Sequence, residues 1–142
     1  MQLNFTFDTV MDSLGPNLTL LGSKDDFRQL AQVVTDLTDA GRPHHFELNN
    51  LPFVDPTPGA RVVFASKPNA NKLGIIEGRV LLFELDARYW ERLFKFFVFM
   101  SWDRRTYHLN SDDASLADLE LHQQCHFICS SEYPHLSKAL QE

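Results

Sequence analysis

The stretch DARYWERLFKFFVFMSW, residues 86–102, decides the fold, because it contains four of the twelve Phe and both Trp of the chain. Asp86 can act as a helix N-cap, since its carboxylate can accept hydrogen bonds from the free N–H groups of a first turn. Charged residues recur every three or four positions after it and apolar residues fill the opposite side, which is typical of an amphipathic helix. The charged stripe consists of Arg88, Glu91, Arg92 and Lys95. The apolar stripe consists of Tyr89, Trp90, Leu93, Phe94, Phe96, Phe97 and Met100. We therefore predict a helix over residues 86–97. The core residues expected on it are Leu93, Phe94 and Phe97.

The end of this stretch allows two further interpretations. From residue 94 onward, apolar side chains also alternate at period two, and aromatic and β-branched residues suit a strand. By Phe99 the charged stripe has ended, so the last turn of a helix here is apolar on all sides. Such a turn is either covered on every side by the core or forms part of a partner-binding surface, since large exposed apolar patches mark interaction sites.

Length and composition predict a single domain over residues 1–142. A chain of this length with 44% hydrophobic residues buries a substantial core without a metal ion or a disulfide. The longest apolar run, residues 96–100, is far shorter than a membrane span, and the N-terminus lacks a secretory signal pattern, so we expect a cytoplasmic protein. Cys125 and Cys129 are expected to be free thiols, because a strand puts them on one face but too far apart for easy bridging.

The charge of the chain bears on its partners. A net charge of −6 argues against nonspecific binding to nucleic acid or to an anionic membrane, which needs a basic surface. Four carboxylates crowd one turn and the strand predicted after it, namely Asp112, Asp113, Asp118 and Glu120. They either face a basic surface on a partner protein or keep the loop hydrated. Arg104 and Arg105 lie beside Trp102, but two arginines flanked by Asp103 do not make a basic patch. Their position after the end of the predicted helix explains them better, because cations are stabilised near a helix C-terminus.

Alternation and turn signals place the other elements. Residues 2–7 and 18–21 are typical of two antiparallel strands. Ser23 and Asp26 predict a capping box at the start of a helix that ends near Gly41, where a left-handed cap is expected. Further strands are predicted at residues 44–49, 61–65, 73–76, 79–85, 106–109, 116–122 and 125–130, a surface loop rich in Pro at 51–59 and a short helix at 135–140. The mixed order favours an α+β fold with a largely antiparallel sheet packed against two main helices.

The sequence contains no motif for catalysis or for cofactor binding, such as a P-loop, a dinucleotide fingerprint or a nucleophile elbow. Four residues in one segment have metal-ligand chemistry, namely His122, Cys125, His126 and Cys129. On one strand the cysteines face one way and the histidines the other, so no metal site is predicted. Two acid–base pairings are conceivable, His44 or His45 with Glu47 or Asp55, and His108 with Asp112 or Asp113. No supporting motif accompanies them, so we predict that the protein is not an enzyme.

The first third of the chain resembles the small immunity proteins of bacterial toxin–immunity pairs. The resemblance lies in a strand ending in LTLLGS at residues 18–23, the amphipathic Leu/Val helix that follows, and PHHFEL at residues 43–48. It implies a cytosolic α+β protein that neutralises a cognate toxin by binding it. It transfers no catalytic or binding residue to this chain.

These observations lead to one functional prediction and two alternatives. The acidic charge and the surplus of aromatic residues favour an inhibitor that occludes a cognate toxin or another basic protein. The residues expected to bind this partner are Asp112, Asp113, Asp118, Glu120, Trp102 and Tyr107. The first alternative is a small-ligand-binding or enzymatic domain with a pocket under residues 51–59. The second is an adaptor subunit whose aromatic stretch seals a homo-oligomer such as a homodimer.

Overall fold

Two mixed β-sheets and two α-helices make up the part of the chain that the computed structural model describes, residues 1–6, 16–39, 41–109 and 121–132. The strands are β1 (Gln2–Thr6), β2 (Asn17–Leu21), β3 (His44–Glu47), β4 (Asp55–Pro56), β5 (Arg61–Ser66), β6 (Asn71–Glu77), β7 (Val80–Leu85), β8 (Thr106–Leu109) and β9 (His126–Ser130). The helices are α1 (Lys24–Val34) and α2 (Ala87–Met100), with 3₁₀ turns at Thr35–Thr38 and Leu48–Asn50. The α+β class predicted from the sequence is confirmed. Neither α1 nor α2 nor any other described helix has the length and apolarity that a membrane span requires.

The first sheet has the order β4-β1-β2-β9-β8 and the second has the order β3-β5-β7-β6. Strands β1 and β2 are antiparallel, as predicted, but β4 runs parallel to β1, β9 parallel to β2, and β7 parallel to β5. Among the described strands, four pairs are antiparallel and three are parallel, so there are two mixed sheets instead of one largely antiparallel sheet. In the second sheet, β7 forms the predicted hairpin with β6 but lies between β6 and β5, and it therefore pairs with β5 in parallel.

Helix α1 begins with the capping box predicted from the sequence. The Ser23 hydroxyl accepts a hydrogen bond from Asp26 N at 3.1 Å, and the Asp26 carboxylate accepts one from Ser23 N at 3.0 Å. The helix ends by tightening into the 3₁₀ turn Thr35–Thr38. The left-handed cap expected at Gly41 is wrong, because Gly41 does not adopt a positive φ and its N–H donates instead to the Asp39 carboxylate at 2.8 Å.

Helix α2 crosses the core, so the strand alternative for this stretch is wrong. Its N-cap is Asp86, whose carboxylate accepts from Arg88 N at 2.8 Å, and it continues one turn beyond the predicted end. The Trp90 indole donates to Ala65 O of β5 at 2.8 Å. Near the other end, Phe97 stacks on Phe27 of α1 with ring centroids 6.5 Å apart. The helix is thereby anchored to the second sheet at its first turn and to α1 at its last.

One hydrophobic core joins both sheets and both helices. Phe83 of β7 packs edge-on against Phe127 of β9 with centroids 5.0 Å apart, so the two sheets touch through these rings. Leu93 and Phe97 are buried, as predicted. Phe94, also predicted to be a core residue, is only partly buried, because its position on α2 places it at the margin of the buried face.

Residues 51–59 are held against the first sheet. Thr57 N donates to Leu3 O at 2.8 Å, and the Thr57 hydroxyl donates to the same carbonyl at 3.1 Å and accepts from Phe5 N at 3.3 Å. Phe53 and Val54 pack on the core. The predicted surface loop thus includes the edge strand β4.

A short segment after residue 121 connects the sheets. Leu73 N of β6 donates to His122 O at 2.8 Å. Gln124 N and Cys125 N both donate to Gly74 O at 3.1 Å. Gly74 forms a bulge in β6 with a φ of 75°, a conformation that favours glycine. From there the chain enters β9 of the first sheet. The strands predicted at 61–65, 73–76, 79–85 and 106–109 correspond to β5, β6, β7 and β8, while residues 116–120 and the helix predicted at 135–140 lie outside the described residues.

Candidate protein-binding surface

The last turn of α2 is exposed on one side. Among the described residues, the exposed large hydrophobic side chains are those of Phe99, at 45%, and Trp102, at 79%. Phe97 and Met100 are buried on the core side of the same turn, and helical geometry directs Phe99 and the residues one turn away to the opposite side. Of the two alternatives for this turn, coverage on every side by the core is therefore wrong.

Two grooves lie next to each other on this face. The first has a volume of about 330 Å³ and is lined by Arg92, Lys95, Phe96, Phe99 and Tyr107. The second has a volume of about 290 Å³ and is lined by Phe94, Lys95, Val98, Phe99 and Trp102. Lys95 and Phe99 belong to both. We call the six apolar and aromatic residues of the two grooves the aromatic surface: Phe94, Phe96, Val98, Phe99, Trp102 and Tyr107.

Tyr107 links α2 to β8. Its ring packs edge-on against Phe96, with centroids 5.6 Å apart, and against Phe99, with centroids 6.1 Å apart. On its strand, Tyr107 lies in register with Cys129 of β9. Because β8 is paired with β9, an inner strand of the first sheet, this ring is held on a rigid element and the wall of the first groove is preformed.

Cations border the aromatic surface. The Arg105 guanidinium lies 5.3 Å from the centroid of the Phe99 ring, within the range of a cation–π contact. Arg105 Nε also donates to the Asp103 carboxylate at 2.7 Å, and this hydrogen bond holds the pKa of the Asp103 carboxyl below its usual value. Asp103 therefore stays ionised at neutral pH and keeps Arg105 close to Phe99.

Two of the six predicted partner-binding residues are described, and the structure brings both of them to this surface. Trp102 lines the second groove, Tyr107 lines the first, and Phe99 stands between them. The four predicted carboxylates, Asp112, Asp113, Asp118 and Glu120, lie outside the described residues. The prediction omitted Phe96, Phe99 and Lys95. The sequence did carry a signal for Phe99, because the charged stripe of the helix ends there and leaves an apolar residue on the side that faces solvent.

The cysteines and histidines of the last segment alternate as expected. Cys125 and Cys129 are buried with free thiols, and His122 and His126 are exposed. Burial raises the pKa of the Cys125 thiol to about 12 and raises that of Cys129 as well, so neither is a thiolate nucleophile near neutral pH. The described part of the chain contains no group of three or more His, Cys, Asp or Glu residues that could hold a metal ion.

A third concavity, of about 370 Å³, lies at the N-terminal end of α2 and is lined in part by Arg42, Lys67, Asp86 and Arg88. Its charged groups are largely engaged with one another or with neighbours. Arg88 pairs with Asp86 at 3.1 Å, and Lys67 pairs with Glu84 at 3.4 Å. Residues 51–59, under which a ligand pocket was one alternative, line none of these three concavities.

The chain matches no known family model, no curated protein and no solved structure.

Proposed function

We propose that this chain is an inhibitor of the immunity type, which binds a cognate toxin protein through the aromatic surface and occludes it. The observation that carries the proposal is the exposure of Trp102, at 79%, next to Phe99 in two preformed grooves. A monomeric protein rarely leaves adjacent large aromatic side chains in water, and such patches usually mark interaction sites. The toxin as partner is what the resemblance in the first third of the chain implies.

The residues of this surface are of the types that dominate binding energies. Trp, Tyr and Arg are enriched among residues whose truncation weakens complexes most, and here Trp102, Tyr107 and Arg105 lie together around Phe99. The ring contacts of Tyr107 limit rotation before a partner arrives, which lowers the entropy lost on binding. Two free cysteines agree with a cytoplasmic location, where disulfides are rare.

The four carboxylates at residues 112–120 have a different role in this proposal. They are expected to face a basic region of the toxin and to raise the association rate, while the aromatic contacts slow dissociation.

The test is capture of a partner by tagged protein in the native host, followed by reconstitution from purified components. The captured protein should arrest growth when it is expressed alone and should be neutral when it is coexpressed with this chain. Replacing both exposed rings, Phe99→Ser with Trp102→Ser, should weaken the complex at least about 30-fold, since central aromatic residues contribute roughly 2 kcal/mol or more. His45→Ser, which removes an exposed ring from β3, is the matched control and should leave affinity unchanged.

Two results would contradict the proposal. One is a chain that captures no protein whose activity it suppresses. The other is a partner that binds the Phe99→Ser, Trp102→Ser variant as tightly as it binds the wild type.

A further inference from the structure

The charges around the aromatic surface have the opposite sign to the chain as a whole. Among the described residues, Arg92 and Lys95 line the grooves, and Arg105 lies over the Phe99 ring with Asp103 paired to it. These three cations and one carboxylate give a net charge of +2 at the surface, opposite in sign to the −6 of the whole chain. Cations placed around exposed aromatic rings favour the binding of an anionic group at this surface, although the protein as a whole is acidic.

The centre of the surface is a ridge between the two grooves. It is formed by Lys95 and Phe99, which lie one turn apart on α2 and line both grooves. Lys95 is exposed, and no described residue forms an ion pair with it. A ligand that fills both grooves therefore lies next to both Lys95 and Phe99.

We propose that the aromatic surface recognises an acidic segment of the partner protein in which two apolar side chains flank a carboxylate. One apolar side chain occupies the groove beside Tyr107, the other occupies the groove beside Trp102, and the carboxylate pairs with Lys95 on the ridge. This inference rests on the proposed protein-binding function and specifies the chemistry of the segment that is bound.

Two other occupants fit the charges less well. A second copy of the chain in a two-fold dimer would bring the same patch against itself, which places Lys95 and Arg105 opposite like charges. A single-stranded nucleic acid needs a cationic path for successive phosphates, and the acidic remainder of the chain repels a polyanion that extends beyond the two grooves. A short acidic protein segment has neither problem.

The experiment selects random linear peptides displayed on phage against the immobilised full-length protein. Enriched sequences should place Asp or Glu between two apolar residues, and they should not enrich on the Phe99→Ser, Trp102→Ser variant. The best peptide is then synthesised, and its affinity is measured for the wild type, for Lys95→Glu and for Arg42→Glu. Arg42→Glu makes the same change of charge at the other end of α2 and serves as the matched control.

Reversing the charge of Lys95 should weaken binding roughly 5- to 30-fold at low salt, because it replaces an exposed attraction with a repulsion of similar size. The effect should shrink to about threefold or less near 1 M salt, where the Debye length falls to about 3 Å. Arg42→Glu should change affinity by less than about twofold. Replacing the central acid of the peptide by its amide should remove most of the response to Lys95→Glu.

The outcomes separate this inference from the proposed function. Enriched peptides could contain no Asp or Glu and still require Phe99 and Trp102 of the protein for binding. That result would overturn the inference and leave the proposed protein-binding function intact. Peptides that bind the Phe99→Ser, Trp102→Ser variant equally well, or no enrichment at all, would count against both. The inference would also be overturned if the protein bound single-stranded DNA or RNA more tightly than any peptide. It would likewise be overturned if the protein formed a dimer that Phe99→Ser dissociates, because the surface would then bind a second copy of the chain.

Discussion

Replacing Phe97 by Ala should destabilise the protein far more than the same change two residues later, at Phe99. The Phe97 side chain is fully buried and stacks on Phe27 between α1 and α2, so its ring leaves a cavity that neither helix can easily close. Loss of transfer free energy contributes about 2 kcal/mol. The cavity raises the total to about 3–5 kcal/mol, the range for a buried Phe truncated to Ala.

Phe99→Ala removes the same atoms from a side chain that is 45% exposed, and it should cost less than about 1 kcal/mol. Urea denaturation followed by circular dichroism measures both values, with the free energy of unfolding extrapolated to water. A cost below about 1 kcal/mol for Phe97→Ala would refute the reasoning that this helix face is the core. Equal costs for the two variants would refute the assignment of Phe99 to a free surface.

Two further predictions concern the thiols and the carboxylates. Folding raises the pKa of Cys125 and Cys129, so the unfolded chain loses these thiol protons at a lower pH than the folded chain does. The free energy of unfolding should therefore fall as the pH rises above about 8.5, the ordinary pKa of a thiol. Below that pH the thiols should not affect it. A Cys125→Ala, Cys129→Ala variant in the same urea assay should lose this part of the pH dependence, and an unchanged slope would contradict it. Changing Asp112, Asp113 and Asp118 together to Asn should slow association with the partner at low salt, with a difference that shrinks at high salt. Equal rates at low salt, measured by stopped flow, would remove these three carboxylates from the interface.

Local signals predicted much of this fold. The caps at Ser23 and Asp86 depend on side chains that bond to backbone groups two or three residues away, and this kind of chemistry can be inferred from spacing. The order of strands cannot be inferred in this way. The parallel pairing of β2 with β9 joins residues more than a hundred positions apart, and no feature of either strand specifies the other as its neighbour.

The candidate surface was predicted only in part, for a related reason. Trp102 and Tyr107 were predicted because a few central aromatic contacts are expected to hold a protein complex together. Whether Phe99 is buried depends on which elements pack against the last turn of α2, and that follows from the position of β8 rather than from the helix sequence. Exposure at the end of a helix is a property of the tertiary structure, so periodicity alone could not decide whether this turn is covered or exposed.

The bulge at Gly74 determines how the two sheets respond to local opening. Its carbonyl accepts the N–H groups of both Gln124 and Cys125, so the segment that leads into β9 is bonded to β6 before it joins the other sheet. Separating either sheet breaks these bonds, and the two sheets therefore belong to one cooperative unit in native-state hydrogen exchange. The amides of Gln124 and Cys125, although they lie outside the strands, should exchange as slowly as those of β6 and β9.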